Sequence, residues 1–100
     1  MNELDRFQIE AHRWATQTFG AARPPHGAIS HLRREVEELA QNPYDSMEYV
    51  DCLMLLLDAA SNAGISTKTI MDCAWEKLDI NRQREWGEVQ GDGTIEHVRR

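Results

Sequence analysis

Two acidic pairs flank a proline in the middle of the chain, within "HLRREVEELAQNPYDSMEYVD" at residues 31–51. Glu35 and Glu38 are three positions apart, and so are Glu48 and Asp51. In a helix, residues at i and i+3 lie one turn apart on the same side, so each pair can present two carboxylates to one neighbour. Four converging carboxylates are a ligand set for Mg²⁺ or Mn²⁺, which prefer oxygen donors.

Helical periodicity decides which acids can act together. At about 100° per residue, Glu35 and Glu38 lie on one flank of an apolar stripe, whereas Glu37 lies on the other flank. The stripe consists of Ile29, Leu32, Val36 and Leu39. His31 lies on the flank of the acid pair, where we expect it to support the ligands rather than to be one.

The second acid pair lies on the next predicted helix, where Glu48, Asp51 and Asp58 share a stripe beside the main apolar face. We expect Asp51 to lie nearest a buried boundary, where an uncompensated carboxylate needs a cation or a proton. Because only a few residues around Pro43 join the two helices, we expect them to pack antiparallel and to bring both pairs to one groove.

Spacing alone leaves an alternative open. Acidic residues number 17 in 100, so a Glu-x-x-Glu pattern arises freely. The four acids could instead form solvated helix faces, with Arg33 and Arg34 as ion-pair partners.

A basic and amide stripe follows downstream. Lys77, Asn81 and Arg84 are separated by 4 and 3 residues, which places them on one helix face, and Trp86 follows. Lysine and arginine donors suit phosphate oxygens, and asparagine suits a sugar hydroxyl or a base edge. The alternative is that both cations pair with acidic side chains in solvent.

These residues require helices to position them. Periodicity and breaker residues predict four helices and no strand, over residues 2–18, 28–41, 44–62 and 67–85. We expect Asn42 to cap the third helix, and this helix to be buried on several sides. Ser66 is predicted to cap the fourth helix, after Gly64 ends the third. Residues 86–100 are predicted to be an irregular tail, so the fold class is a small all-α bundle in one domain, residues 1–100.

Composition narrows the function. The net charge is −6, and basic residues form only short clusters, so we expect no nucleic acid polymer as a partner. The longest apolar run, "CLMLLL", is too short for a bilayer, and the polar N-terminus is neither a signal nor a transit peptide. The two cysteines have no metal-ligand spacing and are typical of a reducing cytosol. We therefore expect a cytoplasmic protein, in the host cytoplasm if a phage encodes it.

Taken together, the acid pairs and the basic stripe resemble the MazG-like superfamily of all-α nucleoside triphosphate pyrophosphohydrolases, and its dATP/dGTP pyrophosphohydrolase branch in particular. The similar segments cover nearly the whole chain in order: "WATQTFG", "HLRREVEELA", "EYVDCLMLLLDAASNAGIS", "KLDINRQREWG" and "IEHVRR". One difference is the spacer between Glu38 and Glu48, whose nine residues are fewer than in typical MazG proteins.

The resemblance implies hydrolysis of a purine (d)NTP, dGTP or dATP, to (d)NMP and pyrophosphate by metal-activated water. It implies that Glu35, Glu38, Glu48 and Asp51 bind Mg²⁺ or Mn²⁺ and that Glu35 or Glu38 activates the water. The substrate residues it implies are Lys77, Asn81 and Arg84, and it implies a homodimer or homotetramer. Two other functions stay open: a non-catalytic helical interaction module, and a hydrolase of a related phosphoribosyl nucleotide.

Overall fold

The computed structural model describes residues 1–99, and four helices make up most of this part of the chain. They are α1 (Glu3–Phe19), α2 (Pro25–Gln41), α3 (Ser46–Asn62) and α4 (Thr67–Gln83). Within residues 1–99 the only paired extended backbone is an isolated antiparallel bridge between Trp86 and His97. The prediction of four helices without a strand is therefore confirmed.

Local chemistry sets where the helices begin, and it corrects two predictions. Helix α2 begins at Pro25, three residues earlier than predicted, because a proline at the first position loses no helical hydrogen bond. Helix α3 is capped by Asp45, whose side chain accepts a hydrogen bond from the Met47 amide. The prediction that Asn42 caps α3 was wrong, since its amide bonds back to Glu38 at the end of α2.

The connection between α3 and α4 agrees with two predictions, that Gly64 ends α3 and that Ser66 caps α4. Gly64 adopts φ +77°, a left-handed conformation that glycine reaches without strain, directly after the C-cap of α3. The amide of Ile65 bonds to the Ala60 carbonyl at 2.8 Å. The Ser66 hydroxyl accepts a hydrogen bond from the Thr69 amide at 3.2 Å, which caps α4.

The chain divides into two compact units, Met1–Ile70 and Met71–Arg100. In the first unit, α3 packs against α2 and against α1. The buried apolar residues of this unit are mostly small, and they are Ala15, Ala28, Leu57 and Ala59. The prediction that α3 is buried on several sides was wrong for the single chain, because Leu53 is 40% exposed and Leu56 is 52% exposed.

Helix α1 is tied to the start of α4 through polar side chains. Gln8 donates to the Ile65 carbonyl at 3.0 Å and accepts from the Thr67 amide at 2.8 Å. The hydroxyl of Thr67, a residue that is only 1% exposed, donates to the Asp5 carboxylate. These bonds satisfy polar groups that burial would otherwise leave unpaired.

The second unit contains the later turns of α4 and an irregular segment that folds back on itself. Its backbone bonds include Gly87 to the Glu96 carbonyl at 2.9 Å and Val98 to the Glu85 carbonyl at 2.6 Å. The predicted irregular tail is thus confirmed over residues 86–99. Among the described residues, no helix combines the length and the apolarity needed to cross a membrane.

Candidate metal site and basic cluster

Helices α2 and α3 bring three predicted ligands together. One carboxylate oxygen from each of Glu35, Glu38 and Glu48 lies within 4.8 Å of the others. Glu35 and Glu38 lie one turn apart on α2, and Glu48 lies in the first turn of α3. We call these three residues the acid cluster.

The acid cluster is electrostatically strained. A side-chain hydrogen bond with Glu35 raises the pKa of Glu38, and the charges of Glu35, Glu48 and Asp51 add to the effect. Desolvation raises the pKa of Glu48, with further contributions from Asp51 and Asp45. Like charges held this close favour a shared proton or a bound cation.

Two oxygens of the acid cluster are buried without a hydrogen-bond partner, Oε2 of Glu35 and Oε2 of Glu48. An unpaired buried carboxylate oxygen is costly, and a divalent cation satisfies it directly. The donor set consists of oxygens alone, which suits Mg²⁺ or Mn²⁺. The residues therefore fit such an ion.

Two residues beside the acid cluster, His31 and Asp51, were also placed by the sequence analysis, and only His31 lies where it was predicted. His31 lies with Nε2 3.2 Å from Oε1 of Glu35, beside the predicted ligands. Asp51 is exposed, so its predicted position at a buried boundary was wrong. It lies outside the group of three, yet its charge contributes to the raised pKa values of Glu38, Glu48 and Cys52. For Cys52, desolvation is the main cause of the raised pKa.

The second unit gathers the predicted basic residues around an imidazole. Burial lowers the pKa of His97, and the positive charges of Arg84, Arg99 and Lys77 lower it further. His97 packs edge-on against Trp86, with ring centroids 6.0 Å apart. No ion pair involves Lys77, Arg84 or Arg99 within residues 1–99, which disfavours the paired alternative for the two stripe cations.

Asn81 also belongs to this basic group. Its carbonyl accepts a hydrogen bond from the Trp86 indole N–H at 2.8 Å. Its side-chain oxygen Oδ1 is buried without a partner. The sequence pattern identified Lys77, Asn81 and Arg84 but gave no signal that His97 and Arg99 join them, because these two residues lie on an irregular segment without periodicity.

An ion pair that spacing could not reveal joins the α1–α2 loop to α3. The guanidinium of Arg23 donates to both oxygens of Asp58, at 2.8 and 3.1 Å. The two side chains are 21% and 17% exposed. The residues are 35 positions apart, so no local pattern pairs them.

An all-α fold with three clustered carboxylates is the arrangement of helical proteins that bind a divalent cation through oxygen ligands. The family assignment agrees with this class. The chain belongs to the dATP/dGTP pyrophosphohydrolase family, whose family model matches residues 7–100. This confirms the resemblance inferred from the sequence.

Relatives of the chain come from bacteriophages. It is 36% identical over 97 residues to the Eaa protein of Salmonella phage P22, and 40% identical over 86 residues to a dATP/dGTP diphosphohydrolase of Salmonella phage PMBT28. These alignments cover 97% and 85% of this chain but only 30% and 28% of the relatives, so the chain spans less than a third of either. A dATP/dGTP diphosphohydrolase of cyanophage S-2L is 33% identical over 78 residues, which are 76% of this chain and 70% of the relative.

A solved structure confirms the MazG-like all-α fold. It is a MazG-like pyrophosphohydrolase of cyanophage S-2L, bound to dGDP and three catalytic Mn²⁺ ions per active site. The TM-score is 0.81 at 29% sequence identity, over 99% of this chain and 100% of the other.

Proposed function

We propose that this protein is a metal-dependent nucleotide diphosphatase that converts a purine (d)NTP, dATP or dGTP, to (d)NMP and pyrophosphate. The observation that carries the proposal is the acid cluster, whose three carboxylate oxygens lie within 4.8 Å of one another and two of whose side chains keep a buried oxygen without a hydrogen-bond partner. Family membership supports the reaction and the substrates. The same membership favours a dNTP over a phosphoribosyl nucleotide.

The metal ligands in this proposal are Glu35, Glu38, Glu48 and Asp51. The buried oxygens of Glu35 and Glu48 support direct coordination. Asp51 is exposed and more distant, so it would complete the site from its open side. Manganese in the related cyanophage structure supports Mn²⁺ or Mg²⁺ as the ion.

The bound ions would neutralise phosphate oxygens and make a water molecule more acidic. Glu35 and Glu38 would then orient the attacking water and accept its proton. Glu38 is suited to this role because it is exposed to solvent while its neighbours raise its pKa. His31 lies beside Glu35, with its Nε2 3.2 Å from Oε1, where it could support the orientation of this carboxylate.

Lys77, Asn81 and Arg84 would bind the substrate. Lysine and arginine donate to phosphate oxygens, and their charge stabilises the negative charge that develops there. The unpartnered Oδ1 of Asn81 supports a hydrogen bond to the sugar or base.

The family match over residues 7–100 supports the proposal that residues 1–100 act as one domain. The two free cysteines are consistent with a cytoplasmic location.

The experiment is a panel of the four dNTPs and four NTPs, each with Mg²⁺ or Mn²⁺, with products identified by chromatography. We expect dAMP or dGMP together with pyrophosphate. Orthophosphate and a dNDP would point to a different bond being cleaved. A folded protein that turns over no nucleotide with either metal would refute the proposal and favour the non-catalytic helical module.

We also propose that the protein assembles as a homodimer or homotetramer. Apolar side chains on α1 and α3 line an open groove of about 480 Å³, and they include Leu4, Phe7, Val50 and Leu53. Solvent exposure of such a surface is unfavourable, and a chain of 100 residues buries only a modest core by itself. Multi-angle light scattering of the wild type and of Leu53→Glu tests this, with a monomer expected for the variant. A monomeric wild type would contradict it.

A further inference from the structure

Three polar residues of the second unit are sheltered from solvent. Between residues 71 and 99, every residue is exposed except Asn81, Arg84 and His97, which are half-buried. Large apolar side chains of the same segment stay outside, and Trp75, for example, is 61% exposed. The fold of this segment therefore shelters an amide, a guanidinium and an imidazole in preference to its apolar residues, the reverse of what hydrophobic burial favours.

Stability alone does not account for this shelter. Burying a polar group without a partner raises the free energy of the folded state. Oδ1 of Asn81 is buried without a hydrogen-bond partner. Arg84 makes no ion pair within residues 1–99. A ligand that supplies the missing partners explains the half-buried positions of Asn81 and Arg84 better than a gain in stability does.

An irregular segment folds back on itself directly after α4, and we call residues 85–98 the C-terminal clip. Its two arms are joined by backbone hydrogen bonds. The Gly87 amide donates to the Glu96 carbonyl at 2.9 Å, and the Val98 amide donates to the Glu85 carbonyl at 2.6 Å. The second arm is thereby held beside the first arm, which continues from the end of α4.

Two rings connect the C-terminal clip to Asn81. Trp86 and His97 form the antiparallel bridge of this segment, and their rings meet edge-on with centroids 6.0 Å apart. We call these two residues the ring pair. The Trp86 indole donates to the Asn81 carbonyl at 2.8 Å, and the Arg84 amide donates to the same oxygen at 3.2 Å. Two donors on one carbonyl oxygen anchor the ring pair to the last turn of α4.

The imidazole of the ring pair lies near cations without adding to their charge. Burial lowers the pKa of His97, and three positive charges lower it further, those of Arg84, Arg99 and Lys77. The ring is therefore uncharged near neutral pH. A neutral imidazole completes the ring pair without repelling the guanidinium of Arg84.

We propose that the ring pair is a positioning element, which orients Asn81 and Arg84 toward the phosphates and the sugar or base of the nucleotide. The proposal rests on the proposed function, in which these two residues bind the substrate. It gives Trp86 and His97 a role through their neighbours and not through contact with the substrate. Groups that are oriented before the ligand arrives bind it more tightly, because less entropy is lost on association.

Two glycines of the C-terminal clip give a matched test. A Cβ on Gly87 would lie 3.3 Å from the Glu96 carbonyl oxygen, so Gly87→Ala forces apart the arms that the ring pair bridges. A Cβ on Gly91 would meet nothing within 4 Å, so Gly91→Ala makes the same chemical change in open space. Both substitutions restrict the unfolded chain alike. A difference between the two variants therefore reports on the geometry of the clip.

Kinetics with dGTP and dATP show whether this geometry serves the substrate. Gly87→Ala should raise KM by about tenfold and change kcat by less than about threefold, because the acid cluster is unchanged and only binding contacts are lost. Gly91→Ala should keep the wild-type values. A merely structural clip would lower Tm in Gly87→Ala without raising KM.

Conservative variants of the ring pair sharpen the test. Trp86→Phe keeps a ring and loses only the indole N–H, and it should raise KM by about threefold to tenfold. His97→Ala should match Gly87→Ala. His97→Phe keeps an edge-on ring against Trp86 and should restore a KM near that of the wild type.

A binding measurement without turnover separates this proposal from the proposed function. Equilibrium dialysis with dGTP in EDTA keeps divalent ions from the acid cluster, so metal-activated water is absent. The dissociation constant should rise by about tenfold in Gly87→Ala and stay unchanged in Gly91→Ala. This pattern in a protein that hydrolyses no dNTP would support the positioning role and overturn the proposed function.

Other outcomes count against the positioning role. Hydrolysis of dNTPs with the same KM and the same dissociation constant in all variants would overturn it and leave the proposed function intact. A fall in kcat at unchanged KM would overturn it as well. A folded wild type that neither binds dGTP nor hydrolyses any dNTP would overturn both proposals. If Gly87→Ala does not fold, wild-type KM and binding in Trp86→Phe overturn the positioning role.

Discussion

Helix α3 carries two carboxylates, Asp58 and Glu48, whose negative charges have different surroundings. Asp58, near its end, receives two hydrogen bonds from Arg23. Glu48, in its first turn, faces Glu35 and Glu38 and keeps one buried oxygen without a partner. Asp58 and Glu48 lie on the same helix and are both partly buried, so neither the helix nor the burial explains the difference. The difference lies in whether the protein itself supplies the cation.

This contrast gives a criterion for separating the roles of acidic residues in the chain. A carboxylate that the fold has already paired is positioned for recognition or stability. Carboxylates that lie within 4.8 Å of one another repel each other when they are charged. This repulsion raises the free energy of the folded state unless a cation binds between them.

The largest effect is expected from Glu38→Gln. Loss of the carboxylate removes a proton acceptor and a metal ligand, so kcat should fall by about 10²- to 10⁴-fold. Pyrophosphate release measures it. Glu10→Gln, which changes an exposed carboxylate on α1, should retain wild-type kcat. Full activity in Glu38→Gln would remove Glu38 from the site.

The second effect concerns metal binding and stability. At about 100 times its dissociation constant, Mn²⁺ should stabilise the wild type by about 2.7 kcal/mol, a rise in Tm on the order of 10 °C. Most of this rise should disappear in Glu48→Gln and persist in Asp58→Asn, because Arg23 already balances Asp58. Calorimetry with and without the ion measures the rise. An equal rise in all three proteins would mean that the ion binds elsewhere.

The third effect concerns the ion pair between Arg23 and Asp58. Asp58→Ala leaves the Arg23 guanidinium without its main acceptor and should lower the free energy of unfolding by about 1–2 kcal/mol. Mn²⁺ should not restore this loss, since the variant changes no member of the acid cluster. Urea unfolding with and without Mn²⁺ measures both quantities. A variant as stable as the wild type would show that the ion pair contributes nothing measurable.

The smallest effect is the pH dependence of the metal-free protein. The folded state raises the pKa values of Glu38 and Glu48 above their ordinary values. Their stabilising contribution is therefore present below the ordinary pKa of glutamate and is lost as the pH rises through the raised values. Unfolding at a series of pH values should show this decline in the wild type. Glu38→Gln should reduce it, and an unchanged decline would contradict the assignment.

The sequence predicted the existence and the faces of the helices better than their caps and their tertiary contacts. Helical periodicity placed Glu35 and Glu38 on one flank and Glu37 on the other, because that relation depends only on the geometry of a single helix. The start of α2 was missed because a proline in the sequence predicts the end of a helix, whereas Pro25 occupies the first turn of α2, a position that proline also favours. The cap of α3 was missed because Asn42 and Asp45 both have capping side chains, and Asn42 instead bonds to the Glu38 carbonyl at the end of α2.

Features that depend on distant residues could not be predicted. Spacing gave no sign that Arg23 pairs with Asp58, or that Trp14 and His31 line a common cavity. The exposure of Asp51 was also missed, because a stripe on a helix does not show where the neighbouring helix ends. Three of the four predicted ligands nevertheless meet, since the turn after α2 brings the end of this helix back to the start of α3.

The bonds of Gln8 to Ile65 and Thr67 have a consequence for the order of folding. They join residues 57 and 59 positions apart, whereas α2 and α3 are neighbours in sequence and can pack through much shorter loops. During synthesis, α2 and α3 can therefore meet while the later chain is still in the ribosome. The hydrogen bonds of Gln8 must wait until Thr67 has emerged, so the contact between α1 and the start of α4 is among the last parts of the first unit to form.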